Sequence, residues 1–170
     1  MAGRNLWGRL LEQTKHEYSP KQRYLTLFFA AIVFLILLPY GLITLGGGID
    51  RWLHFPKLMF QPLNLIFGVL LIVIGWFLGL WSNYVQFTIG RGTPVPLMAT
   101  QKLIIQPPYT YCRNPMALGA IVMYLGVATL LGSIGAVILV ILGAAALLTY
   151  IKVLEEKEME LRFGAEYLTY

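Results

Sequence analysis

The sequence predicts an all-α integral membrane protein. Four transmembrane helices are expected, the last two folded as a C-terminal helical hairpin, with an N-terminal amphipathic helix lying in the membrane interface. Three observations predict this. Of the 170 residues, 58% are hydrophobic and 12% charged, and mean hydropathy is +0.69, whereas a soluble domain is roughly 25% charged. Apolar stretches long enough to span a bilayer recur between charged or Gly/Pro-rich segments. Counted as four spans, they put the basic residues overwhelmingly on one side. The length suits a single membrane domain over residues 1–170.

Residues 3–19 place Leu6, Trp7, Leu10 and Leu11 at helical spacing among Arg9, Glu12 and Lys15, the pattern of an interfacial helix that Ser19-Pro20 ends. Its long charged region and the lack of a small-residue cleavage site argue against a signal peptide. The first span is expected over 24–45, with Pro39 kinking it and Gly46-Gly47-Gly48 breaking it in a turn. No Lys-Ser/Thr follows these glycines, so they do not read as a phosphate loop. Ile49 to Gln61 reads as a short wet connection.

The second span, 62–87, is uncharged, and Asn83, Tyr84 and Gln86 make its far end polar, for a pocket or for interfacial anchoring. Residues 88–114 form a Gly/Pro-rich loop, too long and too fixed in composition to be idle. Asn114-Pro115 is a helix start, since Asn caps well and Pro suits the first helical position. No charge follows until Lys152, a stretch too long for one span. Gly132-Ser133-Ile134-Gly135 divides it into spans over 115–132 and 134–151, and Gly119, Ala120, Gly126 and Ala128 facing Gly143 to Ala146 would let these arms pack closely. Residues 152–170 read as a charged helical tail.

Charge placement orients the model. Of the 13 Lys and Arg residues only Arg51 and Lys57 fall on the far side, so both termini and the functional face are expected to be cytoplasmic. The net charge of +5 thus belongs to topology, and no nucleic-acid partner is expected. Cys112 is the single cysteine, which excludes an internal disulfide and a multi-cysteine metal site, and His16 and His54 lie near opposite ends of the first span. No metal is expected.

The hairpin brings chemistry together. Arg113 lies about 20 residues before its turn and Glu155 about as far after it, so at 1.5 Å per residue both fall roughly 30 Å away on one face. Arg113, Tyr109, Tyr111, Glu155, Glu156 and the Gly/Pro loop converge there. They offer cation and anion partners and aromatic faces to a zwitterionic ligand at the membrane surface. A structural Arg–Glu strut would need less.

These residues carry a family resemblance. Gly90-Arg91-Gly92-Thr93-Pro94-Val95-Pro96, Leu103-Ile104-Ile105, Pro108-Tyr109, Arg113-Asn114-Pro115-Met116 and Gly119, followed by Glu155-Glu156, Met159, Phe163-Gly164 and Tyr167, resemble the signature of the isoprenylcysteine carboxyl methyltransferase-like family, whose superfamily includes the phospholipid methyltransferases. The likeness covers roughly the second half of the chain, in order and spacing. It implies a membrane methyltransferase using S-adenosyl-L-methionine without a Rossmann fold. It assigns cofactor binding to Arg113, Asn114, Pro115, Gly119, Glu155 and Glu156, with Arg113 and Glu155 in catalytic roles. Tyr109 or Tyr111 would face the sulfonium. Ala117 departs from the pattern, standing where the family commonly has Tyr. The acceptor is expected to be a lipid, isoprenylcysteine-like or other small amphiphilic molecule. The alternatives are a sterol-reductase-like NADPH oxidoreductase and a non-catalytic membrane subunit that keeps the fold.

Overall fold

The computed structural model describes residues 19–58, 60–90 and 102–169. The described residues are helical and contain no strand. Four principal helices are α1 (Pro20–Leu53), α2 (Leu63–Thr88), α3 (Pro115–Leu131) and α4 (Ile134–Phe163), and a short α5 (Ala165–Thr169) follows. α1, α2 and α4 are long and apolar enough to cross a membrane, and α3 is a shorter apolar helix of 17 residues. The expected interfacial helix, apart from Ser19, and residues 91–101 of the Gly/Pro loop lie outside the described residues.

Ser19-Pro20 begins a helix. Ser19 Oγ accepts from the Gln22 backbone N–H at 3.3 Å, while the Gln22 side chain accepts from the Ser19 N–H at 2.9 Å, a reciprocal capping box with Pro20 in the first helical position. Farther along, Val33–Leu37 winds as a π-helix, and the Leu38 N–H donates to Val33 O. In that register the next donor would come from residue 39 and reach Phe34 O. Residue 39 is proline and has no N–H. The Tyr124 hydroxyl of α3 supplies the missing donor, reaching Phe34 O at 2.6 Å. The expected distortion at Pro39 is therefore a π turn secured by a neighbouring helix.

The triple glycine is not a turn. α1 continues through it to Leu53 and closes at His54, which adopts a left-handed φ of 52°. Glycine lowers helix propensity by roughly 1 kcal/mol relative to Ala, but Gly46 compensates through packing. A Cβ there would meet the Cβ, Cα and N of Ala136 in α4 at 2.8, 2.9 and 2.9 Å, and one on Gly135 would meet Gly46 O at 2.6 Å. Gly47 and Gly48 meet nothing within 4 Å. Because the helix continues, the supposed wet connection loses Asp50 and Arg51 to α1. Asp50 Oδ1 accepts from the Gly135 N–H at 2.7 Å, and Ser133 Oγ accepts from the Ala136 N–H at 3.0 Å, so two side chains cap the start of α4.

The tightest helix pair is α2 with α3. Gly68 and Gly75 recur at the same seven-residue spacing that leads on to the fully buried Ser82. A Cβ on Gly75 would lie 2.5 Å from Met123 N and 2.6 Å from Gly119 O, and one on Gly126 would lie 2.7 Å from Ile72 N. Gly119 and Gly126 thus face α2, not the other hairpin arm, and Gly143 meets nothing within 4 Å. The hairpin itself is held by Ala128 packing with Ala136 and Val140, and by its turn, where Gly132 takes a φ of 63° and Ser133 N–H donates to Ala128 O at 3.2 Å. α4 does not stop near residue 151. A π turn over Ile151–Glu155 carries it into the charged segment as one helix.

Gly75→Val is expected to destabilise the protein by about 1–3 kcal/mol through overpacking, while Gly143→Ala leaves stability unchanged or slightly raised. Equilibrium unfolding of the two variants in detergent micelles checks the assignment of the glycine faces.

Candidate active site

The beginnings of α1 and α3 and the ends of α2 and α4 lie at the same end of the bundle. Arg23 joins the first two of the four. It donates to the Phe87 carbonyl at 2.6 Å and stands 4.1 Å above the Phe87 ring, and Tyr24 packs on that ring at 5.1 Å. A cation on the last carbonyls of a helix satisfies acceptors that have no intrahelical partner.

Asn114 holds the centre of this end. Its Oδ1 accepts from the Ala117 N–H at 3.0 Å, capping α3, and Pro115 behind it is fully buried. The cap leaves the amide nitrogen pointing across the bundle, where Nδ2 donates to Glu155 Oε2 at 3.2 Å. Glu155 closes the π turn of α4. The wider winding of that turn keeps Ile151 and Glu155 on one side, and both line a common cavity. Glu155 lies beyond the apolar stretch of α4, and burial holds its carboxyl above the usual carboxylate range, with Glu158 adding repulsion.

Glu156 points elsewhere. Its carboxylate lies 3.8 Å from Arg113 Nη1, with both side chains substantially exposed. Such a pair contributes little to stability. The Arg113 guanidinium also stands 5.7 Å from the centre of the Tyr167 ring, a buried residue of α5. Gly164 makes that placement possible, because its φ of 55° with ψ of −130° turns the chain sharply between α4 and α5.

The cavity holds about 660 Å³ between α1, α2, α3 and α4. Leu27, Phe34, Trp76 and Met123 give it apolar walls, while Asn83, Asn114 and Glu155 give it polar groups. Among the described residues Glu155 is the only charged one that lines it. Of the residues the sequence singled out, Asn83, Tyr84, Asn114, Gly119 and Glu155 line the cavity, Gln86 does not, and Pro115 supports it from behind. Arg113 and Glu156 pair just outside. Tyr109 is buried with Val85 and Ile104 against Trp81, and Tyr111 is 78% exposed; neither lines the cavity. Nothing local in the sequence marks Tyr150 or Arg23, because their roles arise from partners distant in the chain, while Tyr167 is marked only by the family resemblance. Among the described residues no group of three His, Cys, Asp or Glu side chains could hold a metal.

A model of the phospholipid methyltransferase family matches residues 63–166. This stretch is more than half the chain and runs from α2 into α5. The chain belongs to the phospholipid methyltransferase family. No curated protein and no solved structure matches it. Membership makes it a membrane methyltransferase and agrees with the resemblance carried by the Arg113-Asn114-Pro115 and Glu155-Glu156 motifs. The family match covers three walls of the cavity, while α1, the fourth, lies outside it.

Gly164→Ala is expected to cost about 1–3 kcal/mol locally, since a side chain tolerates that backbone conformation poorly. The loss should appear as faster amide exchange confined to residues 156–169, with α2 and α3 unaffected.

Proposed function

We propose that the protein transfers a methyl group from S-adenosyl-L-methionine to a lipid acceptor at the cytoplasmic face of a membrane. The observation that carries this reading is the Asn114–Glu155 hydrogen bond at the polar head of an otherwise apolar cavity. A half-buried carboxylate held by an amide suits an ammonium or hydroxyl donor, and Arg113 beside it suits a carboxylate. The amino-acid end of the cofactor carries both charges. A volume of about 660 Å³ falls within the range of small-molecule sites.

The cofactor, when bound, supplies an electrophilic methyl group. The chain's own residues do the rest. Asn114 and Glu155 bind and orient the polar end, with Arg113 and Glu156 at its outer edge. Tyr150, which lines the cavity, takes over the aromatic role first considered for Tyr109 or Tyr111. The apolar walls of α1 and α2 hold the lipid chain and exclude water, so that rate acceleration rests on positioning in a dry site. Four membrane crossings, with the site end cytoplasmic, follow from the single-sided distribution of Lys and Arg.

Calorimetric titration of the purified protein tests this. S-adenosylhomocysteine is expected to bind and NADPH is not. Glu155→Gln should weaken binding about tenfold or more, the loss of a charge-assisted hydrogen bond. Asn114→Ser, which keeps the helix cap, should weaken it with little change in stability. Binding of neither ligand, or normal binding by both variants, would overturn the reading.

The sign of the pH dependence follows from Glu155. Its carboxylate must be ionised to hold an ammonium, so affinity for S-adenosylhomocysteine falls as pH drops through its raised pKa. The fall should begin at a higher pH than an ordinary carboxylate gives, and titrations of Glu155→Gln across pH should lack it.

A further inference from the structure

Asn83 lies in the α2 wall of the cavity, in a helix without a charged residue. Its Oδ1 is buried and has no hydrogen-bond partner, and its Nδ2 reaches only the Met116 sulfur, at 3.6 Å. A thioether is a weak acceptor, and a buried carbonyl oxygen left unpaired lowers stability. Neighbouring polar residues of α2 avoid this cost by themselves. Ser82 and Thr88 donate back to the carbonyls of Leu78 and Tyr84 at 2.7 and 2.6 Å. An amide oxygen has no such outlet, because it accepts only and the helix N–H groups around it are already used. Asn83 Oδ1 therefore has to be satisfied from outside α2. Gln86 has a similar orphaned oxygen but does not line the cavity.

Position narrows the partner. Met116, on which the Asn83 amide rests, is two residues beyond Asn114, so Asn83 stands near the Asn114–Glu155 pair. Trp76 and Leu80 continue the same wall with apolar surface. A lipid lying along that surface with its head toward Asn114 brings its head past Asn83. Met116 covers the amide with a flexible side chain that rotates aside readily.

Resting on the methyltransferase reading above, we propose that Asn83 Oδ1 is a positioning group for the methyl acceptor. It accepts a hydrogen bond from the nucleophile's own N–H or O–H and so aims the lone pair. In the reaction this lone pair bonds to the methyl carbon, the electrons of the broken carbon–sulfur bond stay on sulfur, and the hydrogen held by Asn83 leaves as a proton to bulk water once the product's head returns to the membrane surface. The acceptor class is accordingly a lipid amine or alcohol. An ionised carboxylate is disfavoured, because it would face Asn83 Oδ1 and the Glu155 carboxylate, two acceptors, with no cation among the described residues that line the cavity.

Asn83→Leu tests this, since it keeps the size of the side chain and removes the orphaned oxygen. Four measurements are made on wild type and variant: thermal unfolding, affinity for S-adenosylhomocysteine, methyl transfer to vesicles containing phosphatidylethanolamine or to a farnesylated cysteine derivative with a free carboxylate, and affinity for the phosphatidylethanolamine vesicles. The variant is expected to be at least as stable as wild type and to bind S-adenosylhomocysteine within about twofold of it. Its kcat/KM for phosphatidylethanolamine should fall about tenfold or more, and its affinity for the same vesicles, titrated with S-adenosylhomocysteine present, should fall with it. Unchanged kcat/KM, or a parallel loss of S-adenosylhomocysteine affinity, overturns the role. So does a wild-type preference for the carboxylate acceptor, which leaves the methyltransferase reading standing. A wild type that binds no S-adenosylhomocysteine removes both.

Discussion

Everything at the site depends on two backbones touching. In a bilayer, apolar burial gives helices little reason to associate, and close van der Waals approach takes over. Between α2 and α3 that approach is made possible by Gly68, Gly75, Gly119 and Gly126, each placed where a Cβ would lie within 3 Å of the opposite helix. The register of this seam sets where Asn114, at the start of α3, stands relative to Asn83 in α2. It also puts Met116 between them. The polar head of the cavity is thus fixed by residues that carry no chemistry of their own.

The polar contacts are of two kinds. Arg113 and Glu156 meet across 3.8 Å in an exposed setting, a pair easily exchanged for ligand or water. Asn114 and Glu155 are less accessible, and Asn114 is also committed to capping α3. An amide that both ends a helix and holds a carboxylate ties the geometry of the site to the integrity of the fold. The outer pair has the freedom to rearrange and the inner pair does not.

Much of this was legible in the sequence. Apolar stretches marked the helices, Asn114-Pro115 marked the start of α3, and counting residues from the hairpin turn brought Arg113 and the two glutamates to one end. Other features were not legible, for physical reasons. Gly46-Gly47-Gly48 looks like a breaker because its local propensity is poor, yet Gly46 is where α1 meets Ala136, a residue 90 positions away. The direction in which Gly119 and Gly126 face depends on α2 and cannot be found within α3. Asn83 announced itself only as a polar residue in an uncharged helix, and the choice between anchoring and lining required the surrounding walls. Tyr109 and Tyr111 looked equivalent by spacing, but one is buried and the other exposed.

The bond from Tyr124 to Phe34 has a further consequence. Residues 20–37 bury no side chain, so their lean from α2 is set by a few anchors rather than by a packed face. One anchor is Arg23 on the Phe87 carbonyl, and the other is the hydroxyl from α3 on the carbonyl that Pro39 leaves unserved. The spacing between α1 and α2 on that side of the cavity is therefore held by bonds within the protein and does not depend on apolar packing between the two helices.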